Sequence, residues 1–129
     1  MRSLALVRPL TLATVLSLPL AYGACGGSAE AGPLEVTFYY IPGCAYCAQV
    51  MSHCRELERD LHGQVVVHNR DASEPEARDE VASLGFETHG LVVRSARGRV
   101  LWKQGDHQIR LEDLRPALEK LLPSDAATP

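Results

Sequence analysis

Apolar and polar positions along the chain repeat with two different periods, and the switches between them mark out the elements. Val36, Phe38 and Tyr40 alternate with Glu35, Thr37 and Tyr39, which predicts a strand over 34–40. The run is apolar enough for a central place in a sheet. Cys47, Val50, Met51, Cys54, Leu57 and Leu61 then hold helical spacing, while His53, Arg55, Glu56, Arg59 and Asp60 take the opposite face. This predicts an amphipathic helix from about Cys44 to Leu61, closed by Gly63 as a left-handed cap.

Val65-Val66-Val67 builds a second strand over 64–69. Ser73 and Glu76 predict a capping box, with Pro75 in the first turn of a helix that buries Ala77, Val81 and Leu84 and stops at Gly85. A third strand over 91–94 turns through Ser95-Ala96-Arg97-Gly98 into a fourth over 99–103, with Gly98 supplying a positive φ. After Gly105-Asp106, five leucines (Leu111, Leu114, Leu118, Leu121 and Leu122) line one face of a last helix. Pro116 falls inside that spacing and predicts a kink or a later helix start. The order β-α-β-α-β-β-α predicts an α/β domain whose small mixed sheet is covered on both faces.

The N-terminus departs from this pattern. Arg2 and Arg8 accompany an almost unbroken apolar run from Leu10 to Leu20, of signal-peptide length and short for a bilayer span. Pro9 and Pro19 bracket the run, which argues against a buried or membrane helix. Residues 1–24 therefore read as an export signal. Leu20-Ala21-Tyr22-Gly23-Ala24-Cys25 resembles a bacterial lipoprotein signal, in which the cysteine becomes the lipidated first residue; Tyr22 stands where a leucine is usual. Ordinary cleavage after Gly23 or Ala24 is the alternative. Residues 25–33 read as a flexible linker, 34–122 as the folded domain and 123–129 as a disordered tail. The expected location is the periplasm or cell envelope, with a membrane anchor if Cys25 is acylated.

The 129 residues suit one domain, and the charge is mixed and slightly acidic at −3. No basic run or stripe of exposed aromatics points to a nucleic-acid partner.

The chemistry concentrates in Phe38-Tyr39-Tyr40-Ile41-Pro42-Gly43-Cys44-Ala45-Tyr46-Cys47. A strand ends in a Pro-Gly turn and a Cys-x-x-Cys opens a helix. Unpaired N–H groups and the macrodipole favour a thiolate at the helix N-terminus, and the thiolate is the reactive form. Cys47 lies one turn on, within disulfide reach. This reads as a redox-active pair, with a static disulfide as the bland alternative. Cys54 lies about 10.5 Å further along the helix, beyond disulfide distance. It reads as core, as does Met51.

Over nearly all of 34–122 the sequence resembles the thioredoxin and glutaredoxin superfamily. Cys44-Ala45-Tyr46-Cys47 is similar to the Cys-Pro-Tyr-Cys of glutaredoxins, and Val66 to Asp71 is similar to the second thioredoxin strand and its following aspartate. The resemblance implies a thioredoxin-like fold and a thiol–disulfide oxidoreductase. Cys44 would be the attacking thiolate and Cys47 the resolving thiol, with Tyr46 and Pro42 shaping the exposed edge of the site. It implies protein thiols and disulfides as substrates, a membrane thiol reductase as electron donor, and no cofactor. The glutathione-binding segments of glutaredoxins are not both present.

The chain departs from the family in three places. Gly90, in Thr88-His89-Gly90-Leu91, stands where the family has a cis-proline, so a trans peptide and a more open site are expected. Phe38 occupies the position of the buried aspartate of thioredoxins. Ala45 replaces the proline inside the redox motif. His89 would lie near Cys44, where it could tune the thiol or accept its proton. A different reading makes Cys44, Cys47 and His89 a soft-metal site for copper or zinc.

Overall fold

The computed structural model describes residues 32–123; the segment expected to be an export signal, Cys25, most of the expected linker and residues 124–129 lie outside the described residues. The elements follow the expected order: β1 (Leu34–Tyr40), α1 (Ala45–Asp60), β2 (Val65–Asp71), α2 (Pro75–Ser83), β3 (Gly90–Arg94), β4 (Val100–Gly105), a 3₁₀ turn (Asp106–Gln108) and α3 (Leu111–Leu121). The sheet order is β2-β1-β3-β4. β1 runs parallel to β2 and antiparallel to β3, and β3 runs antiparallel to β4. β1 is therefore interior, as its apolar composition requires.

Side-chain alternation along β1 and β3 divides the core in two. Val36 and Phe38 with Leu91 and Val93 face Val50, Cys54 and Leu57 of α1 and Leu114 and Leu118 of α3. Tyr39 and Val92 face Ala77 and Val81 of α2, together with Leu84 and Phe86. One face of the sheet thus carries α1 and α3, and the other carries α2. β2 is an edge strand, and its Val67 N–H donates to a Glu58 carboxylate oxygen at 2.8 Å instead of facing solvent.

Several local expectations are corrected. β2 extends to Asp71 because Arg70 and Asp71 find ladder partners in Tyr39 and Tyr40. β4 runs from Val100 to Gly105 because its ladder continues until Gly105 meets Gly90. The capping box does not form. Ser73 gives both its N–H and its hydroxyl to Asp71, and Glu74 becomes the N-cap without a side-chain bond. This is the aspartate-centred turn that competes with helix capping. α3 begins at Leu111 and includes Pro116, whose missing N–H is outweighed by burial of Leu114 and Leu118 on either side of it. His53 is half-buried, with Nε2 shielded from solvent, and not on the solvated face. It shares a helical stripe with Tyr46 and Asp60, both of which reach toward α3.

Candidate active site

β1 delivers the chain to Ile41-Pro42-Gly43, which turns tightly: Cys44 N–H donates to the Ile41 carbonyl at 3.2 Å and Gly43 takes φ +79°. A side chain there would be strained, so glycine is the residue the turn demands. Cys44 is the N-cap of α1, and its Sγ accepts the N–H of Cys47 at 3.2 Å. The sulfur thus does what a serine or aspartate oxygen does at other helix starts.

This geometry divides the two thiols. Cys44 is half-exposed, and its pKa falls below 9.0 because the Cys47 thiol and then the Cys47 amide hydrogen-bond its thiolate, with a smaller contribution from the Tyr46 amide. Cys47 is buried, and its pKa rises, first through desolvation and then because its hydrogen is held by Cys44. An exposed acidic thiol beside a buried, protonated one is the chemical requirement for sequential thiol–disulfide exchange. Cys54 is fully buried, and desolvation pushes it up to about 12, which makes it inert.

Tyr46 is 41% exposed, yet its hydroxyl donates to the Ile109 carbonyl at 2.7 Å. It fastens the first turn of α1 to the segment entering α3 and does more than edge the site. Beside the Ile41-Pro42 turn lies a cleft of about 280 Å³, lined also by Ala72, Val81, Glu87 and Thr88.

No peptide bond is cis among the described residues. The expected openness at Gly90 is corrected: a Cβ there would lie 2.3 Å from the Phe86 ring, and one on Gly105 would be equally close. Gly90 and Gly105 face one another across β3 and β4, and Phe86 fills the space both leave.

His89 is engaged at Nδ1 by the segment around Asp106. It is buried, its Nδ1 lies 2.8 Å from Thr88 Oγ1 and 3.7 Å from Asp106 Oδ1, and it is absent from the groups that lower the Cys44 pKa. Cys44, Cys47 and His89 do not converge as metal ligands, and no trio of His, Cys, Asp or Glu does so among the described residues. The soft-metal reading is not carried further. Asp106 was missed as a site residue. The visible signal is an acidic residue directly after Gly105, at the end of the fourth strand.

A Cys-x-x-Cys at the head of α1 in this sheet order defines a thioredoxin-like fold with a paired-cysteine site. Among solved structures the chain is similar to the germline-specific thioredoxin Deadhead of Drosophila melanogaster, at 21% identity and TM-score 0.58 over 73% of this chain and 86% of that one. It is also similar to the oxidised mitochondrial thioredoxin 3 of Saccharomyces cerevisiae, at 16% identity and TM-score 0.55 over 71% and 82%. A third likeness, to a malarial protein, has 14% identity and TM-score 0.57 over 71% of this chain and 100% of that one. No family model matches the chain, and no curated protein does. At these identities the likeness is one of fold, and the fold is thioredoxin-like.

Proposed function

We propose that the protein is an exported thiol–disulfide oxidoreductase acting on protein disulfides. The observation that carries this reading is the Cys47 N–H held on the Cys44 sulfur, with the two thiols driven to opposite acidities. In the reducing direction, the Cys44 thiolate attacks a substrate disulfide. A Cys44–substrate mixed disulfide forms, and one substrate sulfur leaves as a thiolate. Cys47 then loses its proton and attacks Cys44 Sγ, forming the Cys44–Cys47 disulfide and releasing the second substrate thiolate. Two electrons pass from the dithiol to the substrate, and the departing thiolates take up protons. A thiol reductase in the membrane would restore the dithiol.

The apolar run over 10–20 and the small residues before Cys25 support export, and Cys25 supports a lipid anchor in the cell envelope. Insulin reduction tests the chemistry. Wild type should turn over with a thiol donor, Cys44→Ser should be inactive, and Cys47→Ser should accumulate a mixed disulfide at Cys44. No turnover and no trapped adduct would defeat the reading. Mass spectrometry of the protein from its native cells tests the anchor: a free α-amino group at the mature N-terminus would exclude acylation there.

A further inference from the structure

The segment Glu87-Thr88-His89 leads from α2 into β3, and Glu87 and Thr88 line the cleft that Ile41 and Pro42 also line. No proline stiffens it. It is held instead by a single carboxylate reaching in from the 3₁₀ turn after β4. Asp106 Oδ2 accepts the Glu87 N–H at 2.9 Å. Asp106 Oδ1 accepts the Thr88 N–H at 2.8 Å, the Thr88 hydroxyl at 2.9 Å and the His89 N–H at 3.2 Å. The Asp106 N–H in turn donates to the His89 carbonyl at 3.0 Å. Asp106 adopts φ +51° to make these bonds, a conformation aspartate tolerates better than most residues.

Counting hydrogens fixes a further property. The Thr88 hydroxyl has one hydrogen, and an ionised carboxylate only accepts. That hydrogen goes to Asp106, so Thr88 Oγ1 must accept across the 2.8 Å to His89 Nδ1. Nδ1 therefore carries the hydrogen of the neutral ring, and the lone pair lies on Nε2.

We propose that Asp106 and Thr88 are a positioning pair beside the dithiol: they hold Glu87 and Thr88 in place in the cleft next to the Ile41-Pro42 turn, which would receive the substrate chain, and fix His89 as its Nδ1–H tautomer. The pair takes over the bracing that a ring-locked residue would give at position 90. Its effect on turnover rests on the oxidoreductase reading, whereas the bracing and the tautomer do not.

The test uses the full chain as wild type, Asp106→Asn, Asp106→Ala and Thr88→Val. Ring-nitrogen NMR should find wild-type His89 protonated at Nδ1, and Thr88→Val should shift it toward Nε2–H. Amide exchange at 87–89 should quicken about tenfold in Asp106→Ala, with β1 amides unchanged. With a protein disulfide as substrate, Asp106→Asn should raise KM about fivefold, the loss of roughly one hydrogen bond, with kcat and the Cys44 alkylation rate unchanged. Unaltered exchange and an unaltered tautomer would overturn the proposal, and so would a fall in kcat with KM intact. If wild type turns over no disulfide, the oxidoreductase reading falls, while exchange and tautomer still decide the bracing. If Asp106→Ala fails to fold, Asp106→Asn and Thr88→Val decide it.

Discussion

The Tyr46 hydroxyl donates to the Ile109 carbonyl across 2.7 Å, joining residues 63 positions apart and tying the dithiol helix to the approach of α3. Tyr46→Phe keeps the ring and removes only this bond. The variant should lose about 1 kcal/mol of stability. Urea denaturation checks it: the midpoint should fall while the m-value stays constant.

Cys44 alkylation reports the thiolate directly. Because the bonds from Cys47 favour the charged form, the rate-versus-pH curve should reach half-height below 9.0. Replacing Cys47 with alanine keeps its amide but removes its thiol, the strongest influence on Cys44, and should move the curve back toward 9.0. Iodoacetamide titration of the reduced protein measures both.

The site was legible where chemistry and local pattern coincide. The alternation of β1, the Pro42-Gly43 turn and the spacing of Cys47, Val50, Cys54 and Leu57 all lie within one short stretch, so strand, turn and helix head could be placed from sequence. What was hidden depends on partners distant in sequence. Tyr46 finds Ile109, Asp106 finds Thr88, and Phe86 fills the gap between Gly90 and Gly105 only once β3 and β4 pair. Ser73 failed for a local reason: Asp71, two residues back, competed for its hydroxyl and won.

Phe86 and the glycine pair should be strongly coupled. Gly90→Ala pushes a Cβ to 2.3 Å from the ring and should destabilise by about 1–3 kcal/mol. Gly90→Pro should do no better, although it installs the residue of the related fold. In a Phe86→Ala background, itself destabilised by about 3–5 kcal/mol, Gly90→Ala should be nearly neutral. A double-mutant cycle measures the coupling.

Asp106 and Cys54 contribute to opposite pH limbs. Burial raises Asp106, but amide bonds from Glu87, Thr88 and His89, with the Thr88 hydroxyl, hold it down at about 2 against an ordinary 3.8. Its folded-state pKa is depressed, so its stabilising contribution is full above 3.8 and is lost as pH falls through 2. Cys54 is the reverse: its thiol stays protonated in the fold to about 12 against 9.0, so stability should fall as pH rises from 9 to 12. Asp106→Asn should flatten the acid limb and Cys54→Ala the alkaline one, as read from denaturation midpoints across pH.

The carboxylate that α1 lends to the outermost strand bears on the life of a protein that would handle unfolded chains. By occupying the Val67 amide, Glu58 withdraws one docking point from the rim of the sheet, where a passing extended polypeptide could otherwise zip on. A rim with one amide already taken offers a shorter template for strand addition along β2, which lowers the risk of co-aggregation there.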